Sequence, residues 1–273
     1  MTNKILVVIV LYGINLEDSL TYQTLNLSVT ESDSIVDLFV YDNSATCNKI
    51  NVQNNKFNII YKSDTTNSGI SKAYNKAADY ASECQKDWLL FLDQDSNIPK
   101  NLFSVFNEFK DKFSNEKLFV PVLKQNNIIL SPCKFKFMKG SSFSSVLPGI
   151  LSLENVSVFN SGIFIDLNAF RKVGGYDENV PLDFSDHSFI FRYKKWFSNI
   201  VVIPIVIEHE LSSKSSDQTI ILRRFIQYCK GVRAFSSIEG GKGLLFFWTA
   251  LRAVKLSFQF KNFQYIKILF DKN

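Results

Sequence analysis

Two aspartates separated by one residue are the strongest chemical signal in the chain. Asp93 and Asp95 follow the run 88–92, whose large apolar side chains are typical of a buried strand. Carboxylates this close repel each other unless a cation lies between them, and Mg²⁺ commonly binds one or two carboxylates together with phosphate oxygens. The pair therefore indicates either a divalent-cation site for a phosphorylated ligand or a solvated acidic turn.

Asp42 is a third carboxylate in the same kind of position. It ends the run 35–41, which reads as another buried strand. In open parallel sheets, ligands gather outside the carboxyl ends of the strands. We therefore expect Asp42 at the same kind of strand end as Asp93 and Asp95.

The elements that position these carboxylates follow an α/β pattern. Strand, helix, strand, strand, helix, strand within the first hundred residues indicates a nucleotide-binding type of α/β domain. The predicted strands are 5–12, 35–41, 57–61, 88–92, 118–123, 127–130, 156–166 and 200–208. The predicted helices are 15–26, 70–82, 103–113, 167–173 and 184–196, and 134–148 reads as a loop.

Composition excludes several classes and divides the chain in two. With 46% hydrophobic residues and 26 Phe among 273 residues, the chain is not disordered. The formal net charge of +5 combines −3 over residues 1–220 with +8 over residues 221–273. Four scattered cysteines without a CxxC pair argue against a zinc knuckle and suit a reducing cytoplasm.

The basic segment 221–273 contains an aromatic stretch, 244–260, that reads as an amphipathic helix. Its polar residues form a stripe at helical spacing: Thr249, Arg252, Lys255 and Gln259. Such a helix suits an anionic membrane interface, or else docks on the preceding domain with its basic residues in water. Its cations alternate with large aliphatics, which disfavours nucleic acid. No apolar run reaches the length of a membrane span, and the start of the chain reads as a strand rather than a signal peptide.

A series of short motifs runs along the chain in a fixed order. The motifs are Val8–Tyr12, Val40–Ser44, Asn67–Ile70, Ala73–Asn75, Leu92–Ser96, Asn160–Gly162, Gly174–Glu178, Leu182–Asp186, Arg192 and Glu208–His209. Together they resemble glycosyltransferase family 2, within it the rhamnosyltransferase-like branch of bacterial polysaccharide synthesis. The similarity covers roughly residues 4–215 and departs from the family pattern at Pro181 and over 187–192.

The resemblance implies a fold and a domain organisation. The expected fold is the GT-A type of nucleotide-diphospho-sugar transferase, with a mostly parallel central sheet flanked by helices. Residues 1–220 would form the catalytic domain, with about 1–100 binding the nucleotide sugar and about 101–220 the acceptor. Residues 221–273 would be a basic, aromatic, helical extension.

The resemblance also implies roles for the donor-side residues. Tyr12, Asp42, Asn67, Gly69 and Asp93 match positions that lie beside the nucleotide sugar. The helix start after Gly69 suits anion contact physically too, because helix N-termini present free N–H groups.

For the metal, the resemblance implies Mg²⁺ or Mn²⁺. Asp95 matches the direct ligand, and His209 matches a histidine that can complete the site. An ordinary histidine at a strand end is the alternative for His209.

For catalysis, the resemblance places the base at Asp186, which would take the proton of the acceptor hydroxyl. Asp183, three residues earlier, reads as a helix N-cap or as a support for Asp186. His187 reads as an incidental neighbour or as an acceptor-side contact.

Together these features predict an inverting, metal-dependent glycosyltransferase. Its donor would be a nucleotide-diphosphate sugar, with dTDP-L-rhamnose suggested by the resemblance, and its acceptor a glycan or a polyprenyl-diphosphate-linked sugar of O-antigen or capsule. It would act in the cytoplasm, peripherally on the inner face of the membrane, through the extension. The alternative is a non-catalytic GT-A relative that binds a sugar or nucleotide, or serves as a membrane-associated scaffold.

Overall fold

The computed structural model describes residues 4–29, 35–46, 54–209 and 217–271. The strands are β1 (Ile5–Leu11), β2 (Val36–Asp42), β3 (Phe57–Ser63), β4 (Trp88–Asp93), β5 (Ser96–Asn97), β6 (Leu118–Gln125), β7 (Ile128–Ser131), β8 (Cys133–Lys136), β9 (Lys139–Ser142), β10 (Gly149–Ser152), β11 (Val156–Ser157), β12 (Ile163–Asp166) and β13 (Asn199–His209). The helices are α1 (Leu20–Ser28), α2 (Ile70–Glu83), α3 (Leu102–Lys112), α4 (Leu167–Val173), α5 (Ser185–Tyr193), α6 (Gln218–Glu239), α7 (Lys242–Phe260) and α8 (Gln264–Phe270).

A ten-stranded sheet of the described residues forms the centre of the molecule. Its order is β10-β13-β6-β12-β4-β1-β2-β3, with β5 beside β13 and β7 beside β6. Strands β3, β2, β1 and β4 are parallel. Strand β12 runs antiparallel to both β4 and β6, so β6 and its parallel neighbour β13 point the same way as the first four. Six of the ten strands thus share one direction, as predicted, whereas β12, β10, β5 and β7 run the opposite way.

The sheet is apolar on both faces, which explains why its central strands are continuous hydrophobic runs. All seven residues of β1 are buried, and successive side chains enter opposite cores. Val8 belongs to the core beneath α2, α4 and α5, whereas Val7 belongs to the core beneath α1 and α3.

Two segments differ in kind from the sequence prediction, and the helix predicted over 15–26 begins only at Leu20. The predicted loop 134–148 begins with the hairpin β8–β9, where Cys133 and Phe135 are buried while the lysines between and after them are exposed. The predicted strand 156–166 is broken into β11 and β12 by a turn at Gly162, which has a φ of +81°. Four residues of alternation are too few to reveal the hairpin from sequence.

The C-terminal helices pack on one another and on the rest of the chain. Helix α7 docks through Leu245, Thr249 and Ala253, which are all buried. Trp248 also donates its indole N–H to the carbonyl of Phe137 in the hairpin, at 3.0 Å. Of the predicted polar stripe, Arg252, Lys255 and Gln259 are exposed, whereas Thr249 is buried and its hydroxyl donates within its own helix. Among the described helices, none is long and apolar enough to cross a membrane.

Candidate active site

The segment 93–96, here called the aspartate loop, joins β4 to β5 and is held by hydrogen bonds from two sides. Asp93 donates its backbone N–H to Oγ of Ser161 at 3.1 Å, and the same Oγ is hydrogen-bonded to the Ser96 hydroxyl at 2.7 Å. From α1, the Thr21 hydroxyl donates to the carbonyl of Asp93 and accepts the N–H of Ser96 at 2.8 Å. These contacts hold the backbone that carries Asp93 and Asp95.

The neighbour of Ser161 connects this loop to the predicted base. Asn160 donates its amide N–H to the hydroxyl of Ser185 at 3.4 Å and accepts the Tyr176 hydroxyl at 2.6 Å. Ser185 is the first residue of α5 and directly precedes Asp186. Residues 160 and 161 therefore join the aspartate loop to the helix turn that carries Asp186.

Two buried tyrosines, Tyr74 and Tyr176, are subject to the charges of both Asp93 and Asp186. The Tyr74 hydroxyl donates to Oδ1 of Asp93 at 3.4 Å. Burial, and the negative charges of Asp93 and Asp186, raise the pKa of Tyr74 well above its usual value. Burial and the same two charges also raise the pKa of Tyr176. The negative charges of Asp93 and Asp186 thus act on the same two phenols, which stay protonated at neutral pH.

Asp186 lies in the first turn of α5, half-buried, where the positive end of the helix favours a carboxylate. Its Oδ1 accepts the N–H of His187 at 2.7 Å. The His187 ring is hydrogen-bonded to the Ser157 hydroxyl at 2.7 Å and packs on Phe135 with ring centroids 4.3 Å apart. Burial lowers the pKa of His187, so the ring is neutral and serves packing.

Asp183 is not the N-cap of α5, so that prediction is wrong. The capping position is Phe184, which has a φ of +71° and makes no side-chain cap. Oδ2 of Asp183 is buried without a hydrogen-bond partner among the described residues, and burial raises the pKa of this carboxyl, opposed by Arg224. Helix α6 covers the segment so closely that a Cβ on Gly231 would lie 2.6 Å from the Asp183 carbonyl oxygen.

The start of α2 is occupied by protein rather than open to an anion. The carbonyl oxygen of Pro181 accepts the N–H groups of Ile70 at 2.8 Å and Ser71 at 3.4 Å. The expectation of free N–H groups is therefore wrong for these two residues. Gly69 has a φ of +93°, and a Cβ there would lie 2.4 Å from the same oxygen, so the approach requires glycine. Asn67 is exposed and left-handed, with a φ of +51°.

Asp42 ends β2 but does not face open space. Its side chain is fully buried. Its Oδ1 accepts the N–H of Ser44 at 2.8 Å, and its Oδ2 accepts the Tyr61 hydroxyl at 2.6 Å. In this structure Asp42 orders the turn after β2. Its contact with a donor stays a prediction, and one that would require these bonds to rearrange.

Gln94, the residue between the two aspartates, has a role that sequence reasoning missed. Its Oε1 accepts the backbone N–H of Tyr12 at 2.7 Å, and its Nε2 donates to the Tyr12 carbonyl at 3.3 Å. The Tyr12 backbone is thus held beside the aspartate loop, and the Tyr12 side chain is exposed. Asn160, Ser161 and Tyr176 also contribute to the site. The sequence predicts no role for them, and their place in the motifs Asn160–Gly162 and Gly174–Glu178 is the signal that could have found them.

The donor set of the aspartate loop fits a hard divalent cation. Asp93 and Asp95 offer carboxylate oxygens, which Mg²⁺ and Mn²⁺ prefer, and two carboxylates suffice when phosphate supplies the other ligands. Within the described residues, no three His, Cys, Asp or Glu side chains form a metal-binding group. The backbone of His209 pairs with Ser96 at the end of β13, but its side chain lies outside the part described.

Comparison with known proteins gives one related sequence and several related structures. No protein-family model matches the chain. The dTDP-rhamnosyl transferase RfbF of Shigella flexneri is 26% identical over 152 residues. This stretch is 55% of the chain and 51% of the relative, so the chain matches about half the length of that curated protein.

The related structures share the fold at low sequence identity. S. aureus TarS 1–349 superposes with a TM-score of 0.56 at 16% identity, covering 86% of this chain and 72% of TarS 1–349. GalNAc-T7, solved with UDP, GalNAc and Mn²⁺, gives 0.58 at 13% identity, covering 84% of this chain and 47% of the other. The chain therefore has the predicted GT-A fold. Its partial similarity to a dTDP-rhamnosyl transferase supports the predicted resemblance to glycosyltransferases of family 2.

Proposed function

We propose that the chain is an inverting glycosyltransferase that uses a nucleotide-diphosphate sugar, with Asp186 as the base. The observation that supports this most is the network from Asp93 through Ser161 and Asn160 to Ser185, beside Asp186. It links the loop that carries the candidate cation site to the helix start that carries the candidate base. A structural acidic turn would need no such connection.

The proposed reaction is a single displacement. The acceptor hydroxyl oxygen attacks the anomeric carbon while the bond from that carbon to the diphosphate oxygen breaks, which inverts the configuration. Asp186 accepts the proton of the attacking hydroxyl, and the nucleoside diphosphate leaves with the bonding electrons. Asp95 and His209 would hold Mg²⁺ or Mn²⁺, with Asp93 beside the nucleotide sugar and the cation. The cation would supply positive charge that offsets the negative charge developing on the leaving diphosphate.

For the substrates, we propose dTDP-L-rhamnose as donor and a glycan or polyprenyl-diphosphate-linked acceptor in the synthesis of O-antigen or capsule. The matched relative named for dTDP-rhamnosyl transfer supports the donor. TarS 1–349 has been solved with UDP-GlcNAc, so this donor is the natural competitor to test.

We further propose that the chain acts on the inner membrane surface through α7. The helix docks through Leu245 and smaller residues, whereas other large apolar residues are exposed, namely Leu244, Phe247, Leu251, Val254 and Phe258. Phe258 is 79% exposed. The exposed Lys255 and Arg252 lie beside this face, which suits contact with anionic headgroups.

The test combines donor binding with transfer. Thermal unfolding is followed with dTDP-L-rhamnose or UDP-GlcNAc, with and without Mn²⁺, because a ligand that binds the native state raises the melting temperature. Asp186→Asn should keep this stabilisation and lose transfer, while Asp95→Asn should lose both. Asp111→Asn, an exposed carboxylate on α3, is the matched control and should keep both. No stabilisation by either donor, or full transfer by Asp186→Asn, would refute the proposal.

A further inference from the structure

A cavity of about 370 Å³ lies between α6, α7 and α8. This volume falls in the range of small-molecule sites. None of its lining residues belongs to the candidate active site. The lining consists of Cys229, Val232, Arg233, Ser236, Ser237, Lys242, Phe246, Thr249 and Leu269.

The walls of this cavity present hydrocarbon rather than open polar groups. Val232, Phe246 and Leu269 are apolar. The hydroxyls of Ser236 and Thr249 donate to carbonyls of their own helices, at 3.0 and 2.7 Å, so their donors are already used. An occupant in contact with these walls gains by burying an apolar surface of its own.

The charged lining residues have one sign. Arg233 and Lys242 are cationic, and the described residues that line the cavity include no carboxylate. Arg233 donates from Nη2 to the carbonyl of Ile268 at 2.8 Å, which fixes its guanidinium between α6 and α8. Lys242 is the first residue of α7, and the positive end of that helix adds to its charge.

We propose that this cavity binds a lipid phosphate, that is, a hydrocarbon chain that carries a phosphate group. The chain would lie among Val232, Phe246 and Leu269, and the phosphate would lie at Lys242 and Arg233. Phe246 is half-exposed, and its ring packs edge to face on the exposed Phe270 ring, with the two ring centroids 6.3 Å apart. The rim of the cavity is therefore apolar too. This site is independent of the transfer reaction.

Calorimetric titration of the full chain, below the micelle concentration of each amphiphile, tests the proposal. The probes are farnesyl phosphate and lauroyl lysophosphatidylglycerol, and farnesol and inorganic phosphate represent the two halves. Both halves should bind at least about tenfold more weakly than the better amphiphile, because each lacks one set of contacts. The tighter of the two amphiphiles identifies the source, prenyl carrier or phospholipid.

Two variants locate the binding. Lys242→Gln should weaken binding of the better amphiphile by about fivefold at low salt, whereas Lys230→Gln, an exposed lysine of α6 outside the lining, should not. Ser236→Trp fills the cavity and should abolish binding while retaining the cooperative unfolding of the wild type. If Ser236→Trp does not fold, the two lysine variants decide.

Three results would overturn the proposal. These are absence of binding by both amphiphiles, equal binding of inorganic phosphate alone, and equal losses in Lys242→Gln and Lys230→Gln. Because no sugar nucleotide is present, these outcomes are separate from failure of the proposed glycosyl transfer.

Discussion

Replacement of Ser161 by alanine tests whether the aspartate loop is held as described. The Ser161 side chain is buried, accepts the N–H of Asp93 and is hydrogen-bonded to the hydroxyl of the fully buried Ser96. Alanine removes the oxygen to which both groups are hydrogen-bonded. The substitution changes no charge and creates no clash.

The expected cost follows from these two contacts. A buried donor left unsatisfied costs about 1–3 kcal/mol. The Ser96 hydroxyl can rotate toward another acceptor, so the Asp93 N–H dominates and we expect a loss of about 2 kcal/mol. For a chain of this size, that lowers the melting temperature by about 4–8 °C. The Asp93 backbone should also become less fixed, so Mn²⁺-dependent stabilisation by a nucleotide sugar should weaken.

The assay is thermal unfolding of Ser161→Ala with and without donor and Mn²⁺. Ser104→Ala is the matched control, because the Ser104 hydroxyl is exposed on α3 and only donates to the nearby Asn101 carbonyl. Its free energy of unfolding should stay within about 0.5 kcal/mol of the wild type. If Ser161→Ala unfolds like Ser104→Ala and binds donor like the wild type, the proposed anchoring of the aspartate loop is wrong.

Three further substitutions test other parts of the structure. Gly69→Ala should lose about 3 kcal/mol of stability in thermal unfolding, because the added Cβ clashes with Pro181 and the backbone is strained at this φ. Gly13→Ala has a similar φ but open space around the Cβ, so it should lose only about 1 kcal/mol. Equal losses would contradict the close approach of Pro181 to Gly69. Asp64→Asn should lower the melting temperature at neutral pH, because three hydroxyls donate to the Asp64 carboxylate and depress the pKa of this carboxyl. The carboxylate therefore stabilises the fold above the ordinary aspartate pKa, and this stabilisation is lost as the pH falls through the depressed pKa. A difference from wild type that does not shrink in acid would rule this out. Phe258→Ser should weaken sedimentation with anionic phosphatidylglycerol vesicles by about tenfold, whereas Ile128→Ser, an exposed apolar residue on β7, should not; equal binding of all three proteins would exclude α7 as the membrane surface.

The sequence was sufficient for elements whose signal is local. Strands β1 and β4 are continuous apolar runs because both faces of the sheet are covered. Helix α4 spans the predicted residues 167–173, and Gly174 ends it in the left-handed conformation with a φ of +87°. The aspartate pair was also placed correctly, directly after a buried strand.

Features that depend on distant contacts were not predictable. The Pro181 carbonyl accepts the N–H groups of Ile70 and Ser71 from more than a hundred residues away in the sequence, so no local pattern predicts these hydrogen bonds. Thr249 is a polar residue, yet it is buried where α7 packs on its neighbours, because its hydroxyl donates to a carbonyl within the helix. The identities of donor and acceptor depend on a three-dimensional pocket shape that spacing does not encode.

The Pro181 segment has a consequence for how the chain can vary in length. Val180 accepts the Ser71 hydroxyl, Pro181 closes the start of α2, and Asp183 presses against Gly231 before α5 begins. Each residue is thus matched to a fixed partner, so one inserted or deleted residue would shift Asp186 by a whole position. Insertions are tolerated where backbone is exposed and unpaired. The length of the segment 180–186 is therefore fixed by its contacts, and we expect insertions and deletions in exposed loops elsewhere on the surface.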